Sequence, residues 1–146
     1  MLIEFLAVII LAIFVVMIHY EALRLTSSFL PLLTIPARSR IIVVIVVALV
    51  AHFAEVTLYA VAYLLMTEEL GYGSIGGLPI NNFYEYLYYS IITYTTLGIG
   101  DHYPQGNLRI LSGSESLVGL VMITWSASFA YLAMQKFWDL HQSRWR

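Results

Sequence analysis

Thr95-Thr96-Leu97-Gly98-Ile99-Gly100-Asp101, followed by His102-Tyr103-Pro104, is the stretch whose reading decides the fold. It comes directly after Phe83 to Thr95, an aromatic and apolar run too short to cross a bilayer core of about 30 Å. Such a short helix between two full crossings, followed by a Gly-containing loop, suits a re-entrant segment. Non-helical backbone at membrane depth is tolerated only where it is buried in protein or lines a cavity. Glycines at alternate positions permit positive φ without a Cβ clash, so successive carbonyls can turn toward one axis. A dehydrated cation is a suitable partner for the carbonyls of Thr96, Leu97, Gly98 and Ile99, and the Thr96 hydroxyl can add an oxygen at the inner end. Leu97 and Ile99 are expected to point backward into protein and hold the strand. One strand covers only part of an ion's shell, so this chemistry requires copies around an axis, a cyclic tetramer.

The flanking sequence supplies the crossings. With 60% hydrophobic and 11% charged residues in 146, lipid is the expected solvent. Leu2 to Tyr20, Ile41 to Met66 and Ile110 to Trp138 each reach the roughly 20 apolar residues that a helical span needs. The start Met1-Leu2-Ile3-Glu4 lacks a basic leader, so the first run is expected to be a retained membrane helix. Arg109 apart, every Lys and Arg lies in the first connector (Arg24, Arg38, Arg40) or toward the C-terminus (Lys136, Arg144, Arg146). Both regions are therefore expected to be cytoplasmic, with the N-terminus and the segment from Thr67 to Arg109 outside. The expected organisation is an all-α integral membrane protein. It comprises a peripheral transmembrane helix at 1–22, an interfacial connector at 23–40, a pore domain at 41–138 and a short cytoplasmic tail at 139–146. Within the pore domain the expectation is an outer helix at 41–66, an extracellular loop at 67–82, a pore helix at 83–95, the filter at 96–101 and an inner helix at 110–138. Around Leu25 to Leu33 the connector is apolar enough to lie along lipid headgroups. Trp138, Trp145, Lys136 and Arg144 read as an inner interfacial anchor.

The Thr-x-Gly-x-Gly-Asp pattern at Thr96 to Asp101, set between outer and inner helices, resembles the potassium-channel signature. The chain looks like a bacterial member of the pore-domain potassium channel family that also includes the two-pore-domain channels, and the resemblance covers roughly Ile41 to Trp138. It implies passive potassium conduction by a homotetramer in a cell membrane. Thr96, Leu97, Gly98, Ile99 and Gly100 would be the selectivity filter, with K⁺ held at Thr96 to Ile99, Asp101 at the outer mouth and no cofactor besides the ions. Gly119 stands near a hinge position of related channels, with close packing as the simpler role. By the same alignment Ile123, Ala127 and Tyr131 would line the cavity. Two positions depart from the family. Ile99 replaces the commonest Tyr and cannot supply its anchoring hydroxyl. Ile92 stands where some channels carry a Glu that pairs with the Asp after the filter, so Asp101 needs another partner, with Tyr88, Tyr89 or water as the alternatives. The readings that compete with selective conduction are a weakly selective cation channel, motivated by Ile99, and a non-conducting membrane scaffold subunit.

Other features narrow the function further. Gly71, Gly73 and Gly76 spell a dinucleotide-type string, but it follows a membrane crossing rather than a strand and reads as a flexible extracellular loop. No dinucleotide or nucleic-acid partner is expected. His52 and Glu55 fall on one helical face at a depth where ionisable groups should face protein. Glu115, with Tyr94, is a candidate third member of that polar set, which either fixes the pore helix or couples pH to gating. Two ligands without a third at suitable spacing do not read as a metal site, and none is expected. Tyr84, Tyr86, Tyr88, Tyr89 and Tyr94 are expected to pack around the filter or at the interface. No helix carries the repeated Arg of a voltage sensor, and with only a few residues after the last crossing no cytoplasmic ligand-binding domain is expected. With cysteine absent and no nucleophile–base pair at readable spacing, an enzyme is not expected.

Overall fold

The computed structural model describes residues 2–138 and consists mainly of four helices. These are α1 (Leu2–Phe29), α2 (Arg40–Leu64), α3 (Phe83–Tyr94) and α4 (Leu108–Trp138). Two short strands, β1 (Gly73–Gly77) and β2 (His102–Gly106), flank α3 and its following loop. Three helical stretches, Phe5–Leu32, Ala37–Glu69 and Leu108–Phe137, are long and apolar enough to cross a membrane. The expected tail at 139–146, with Arg144 and Trp145, lies outside the described residues.

The long helices pack through narrow seams and leave wide apolar faces open. On α1 the buried positions are Val15, His19, Leu23 and Thr26, continued by Leu30, a spacing of three or four that keeps one stripe on one side. On α2 the seam includes Ala48, Ala51 and Ala60, small residues that let backbones approach. Phe14, Met17, Leu49, Val50 and Phe53 lie outside the seams and are more than half exposed, as suits helices solvated by lipid. The core between α2, α3 and α4 is largely aromatic, with Tyr59, Tyr63, Tyr86, Tyr89 and Tyr94 all buried.

Several boundaries differ from the sequence expectation, each for a local reason. The first helix does not stop at 22 but runs to Phe29, and the part of the connector expected to lie along headgroups is largely its continuation. Arg24, expected in the connector, pairs with Glu21 across one turn at 2.7 Å on the exposed face. Pro31 then enters a 3₁₀ turn at Leu30–Leu32, where it ends the helix. Arg40 ties the connector to α4, donating from Nη2 to the Leu33 carbonyl at 3.1 Å and stacking over the Phe137 ring at 5.3 Å. At its far end α2 gives way to a π-helical turn at Leu65–Glu69. Tyr86 secures that turn from α3, donating to Glu68 at 2.7 Å and meeting the Thr67 hydroxyl at 2.9 Å.

The glycine-rich stretch read as a flexible loop is a correction of a larger kind, because it carries β1. That strand pairs antiparallel with β2 in the register Gly73↔Gly106 through Gly77↔His102. Its glycines are there for close approach. A Cβ on Gly77 would fall 1.9 Å from the Asp101 carbonyl oxygen, and one on Gly76 would fall 2.8 Å from the Tyr103 ring.

Candidate functional site

The site is built on α3. Asn82 caps the helix by accepting from the Tyr84 amide at 2.9 Å, and Glu85 occupies the first turn, where a negative charge suits the helix dipole. At about 1.5 Å per residue, α3 is far shorter than a bilayer core. Tyr86, Tyr89, Ser90, Ile92, Thr93 and Tyr94 are buried against the long helices, whereas Tyr84 is 76% exposed. Ser116 on α4 donates to the Thr93 carbonyl at 2.9 Å. Gly119 lies still closer: a Cβ there would sit 2.2 Å from the Tyr94 carbonyl oxygen. Of the two roles considered for Gly119, the geometry gives it close packing.

The loop leaving α3 has an uncommon backbone. Thr96, Gly98 and Gly100 have φ of 58°, 54° and 91°, while the intervening Leu97 and Ile99 do not have positive φ. In an ordinary extended strand successive carbonyls face opposite ways. Left-handed residues at every second position turn them toward a common side. Thr96 was not expected to share this conformation, and as a β-branched residue it adopts it at a cost of about 1–2 kcal/mol. Gly98 and Gly100 would meet nothing within 4 Å if they carried a Cβ, so backbone conformation, not space, explains these glycines.

Hydrogen bonds hold the loop at both ends. The Thr96 amide donates to Thr93 and the Gly98 amide donates to the carbonyl of buried Ile92, each at 3.0 Å. At the other end the Leu78 amide donates to the Asp101 carbonyl at 3.1 Å. Of the partners considered for Asp101, the structure supplies Tyr88, whose hydroxyl donates to Oδ2 at 2.8 Å. Tyr89 turns to Ser112 instead, at 2.6 Å. The Tyr88 bond holds the Asp101 carboxyl below its ordinary pKa, because the hydrogen bond favours the charged form. His102, unremarked in the sequence, is 4% exposed, packs edge-on to Tyr88 and brings Nε2 to 3.3 Å from Glu85 Oε2.

Leu97 and Ile99 differ from expectation. Within one chain they are not turned into protein but are 63% and 59% exposed. The same loop borders a cleft of about 520 Å³ shared with Ser112, Gly113 and Arg109 of α4. Ile123 and Ala127 line a second groove of about 360 Å³ together with Thr95 and His52. Tyr131 stands apart from that groove, is 57% exposed and accepts from Gln135 at 2.8 Å.

The ionisable residues fall into two sets rather than one. His52 and Glu55 come together, with Nδ1 3.3 Å from Oε2, and Tyr94 donates to the same carboxylate oxygen. Glu115, expected in that set, belongs to another: it accepts from Tyr63 at Oε2 and from Ser90 at Oε1, each at 2.5 Å. Depth along a helix separates them, since Glu115 sits at the level of Ser90 and Glu55 at the level of Tyr94. The residue that sequence reasoning missed is His19, fully buried on α1, with Nδ1 2.9 Å from Glu55 Oε1. Its signal was available, because an ionisable side chain inside an apolar span warrants a search for a partner.

Comparison with known proteins bears on this arrangement. No curated protein and no solved structure matches the chain significantly. A family model described as an ion channel matches residues 41–136, which takes in α2, α3, the glycine-spaced loop and nearly all of α4. With more than half its length matched and three helices fit to span a bilayer, the chain is a membrane protein that belongs to the ion channel family.

Proposed function

We propose that this ion channel conducts potassium selectively and passively, as a homotetramer whose four glycine-spaced loops meet on the symmetry axis. The alternation of left-handed φ at Thr96, Gly98 and Gly100 carries the reading, since it lets one strand present a row of carbonyls to one side. In the tetramer the carbonyls of Thr96, Leu97, Gly98 and Ile99 replace the hydration shell of K⁺, and repulsion between ions in adjacent sites keeps them moving. Leu97 and Ile99, exposed on one chain, are covered by neighbouring copies that also fill the cleft beside the strand. Re-entry of α3 directs its C-terminal end, with a partial charge of about −0.5, at the cavity below the strand, which favours cations. Asp101, whose carboxylate accepts from the Tyr88 hydroxyl, adds a ring of negative charge at the outer mouth. Ile123 and Ala127 face the cavity beneath. The first connector and the end of α4 lie on the cytoplasmic side of a cell membrane, with the N-terminus outside.

The test is flux through liposomes containing purified protein, comparing K⁺ with Na⁺. Selective conduction predicts K⁺ flux well above Na⁺ flux. Equal rates would reveal a weakly selective cation channel, and a tetramer without flux would be a scaffold. Gly98→Ala should lower K⁺ flux, because an alanine at φ 54° adds about 1–2 kcal/mol of strain in every strand of the ring to that already carried at Thr96.

A further inference from the structure

Conduction through the loop makes no use of the donor set that the four helices assemble beside it. His19 comes from α1, His52 and Glu55 from α2, Tyr94 from α3 and Ser126 from α4. His19 Nδ1 lies 2.9 Å from Glu55 Oε1, and His52 Nδ1 lies 3.3 Å from Glu55 Oε2 and 2.9 Å from the Tyr94 hydroxyl. The Ser126 hydroxyl stands between the two rings, 3.1 Å from Nε2 of His19 and 3.0 Å from Nε2 of His52. One ligand atom from each of His19, His52 and Glu55 fits within a span of 4.8 Å. Bonds of 2.0–2.1 Å to a tetrahedral ion place its ligand atoms about 3.3 Å apart, so no two of these groups need to close by more than about 1.5 Å to share one.

The chemistry of the set is selective. Two imidazoles and one carboxylate suit zinc-class ions, whereas Ca²⁺ and Mg²⁺ take oxygen ligands. A carboxylate with no solvent exposure inside a spanning helix needs compensating charge, and a divalent ion supplies it. Access exists as well. His52 retains 17% side-chain exposure and opens onto the groove of about 360 Å³ that Thr95, Ile123 and Ala127 border.

We propose that His19, His52 and Glu55 bind one zinc-class divalent ion per chain, with the Tyr94 hydroxyl or a water completing the tetrahedron. The bound ion ties the N-terminal helix to α2 at the level where α3 hands over to the glycine-spaced loop. It makes α1 a functional part of the channel rather than an attachment to it.

The experiment uses the full chain, free of any histidine tag, in detergent micelles. Protein stripped with chelator is dialysed against Zn²⁺ or Co²⁺, and the metal content and visible spectrum are measured. The expected result is one Zn²⁺ per chain, strong tetrahedral Co²⁺ absorption and a rise in melting temperature with Zn²⁺ but not with Mg²⁺. His19→Ala and His52→Ala should each weaken binding at least about tenfold, whereas His102→Ala, whose ring lies outside the set, should retain it. If the first two variants do not fold, the Co²⁺ spectrum of the unaltered protein decides. A weak octahedral spectrum, absence of retained Zn²⁺, or retention by a folded His19→Ala protein would overturn the proposal. None of these readouts depends on ion flux, so they stand or fall separately from potassium selectivity.

Discussion

Replacing Gly119 with alanine adds one methyl group to α4 where α4 crosses the end of α3. The new carbon would sit 2.2 Å from the Tyr94 carbonyl oxygen and 3.0 Å from the Tyr94 ring. Ordinary contact begins near 3.4 Å, so the helices must part by about 1.2 Å, in an interior packed as densely as a crystal. The yielding group is backbone, which rules out relief by a rotamer change. Overpacking of this kind costs about 1–3 kcal/mol per chain. The displacement falls on Tyr94, two residues before Thr96, and Ser116 holds the adjacent Thr93 carbonyl from the same helix. Gly119→Ala should therefore lower both the melting temperature in micelles and the K⁺ flux in liposomes. A hinge role predicts something else, namely unchanged thermal stability with altered opening. Full stability together with full flux would refute the packing argument.

Further expectations concern the hydrogen bonds around α3. Tyr88→Phe removes the donor that keeps the Asp101 carboxyl below its ordinary pKa. A lowered pKa stabilises the folded mouth above the ordinary carboxylate range, and that contribution is lost as pH falls through the lowered value. On acidification, the variant should therefore lose flux at a higher pH than the parent, and identical pH profiles would count against the Tyr88 bond. Ser90→Ala deletes the hydroxyl that donates to buried Glu115 Oε1 at 2.5 Å and lies 2.9 Å from the Val56 carbonyl. Leaving that carboxylate oxygen unsatisfied costs about 1–3 kcal/mol, which a melting curve should register as a clear drop.

The sequence made some of these features plain and concealed others for physical reasons. Spanning helices are legible because a bilayer demands a long apolar run, and α2 and α4 begin and end close to where their runs do. α3 is legible from its short length and from Asn82 as its cap. The glycine-spaced loop could be read from the steric freedom of Gly98 and Gly100, but the positive φ of Thr96 could not, since nothing local favours it. The β1–β2 ladder was hidden because its pairing joins distant segments and its glycines show no alternation of polar and apolar residues. The continuation of α1 past residue 22 is masked by Arg24, a charge that reads as connector and is half of a surface pair with Glu21 on one turn. The sorting of Glu55 and Glu115 into separate sets depends on helix depth, which no motif encodes, and His19 reaches its partner only once α1 has docked.

The ladder between β1 and β2 ties together two segments that lie far apart in the chain. One strand leads back, through a few residues, to the π-helical end of α2, and the other begins at His102, immediately beyond Asp101. On the proposed pore, a change in the tilt of α2, such as lateral tension or a thinner bilayer would impose, would reach the ion entrance through this ladder.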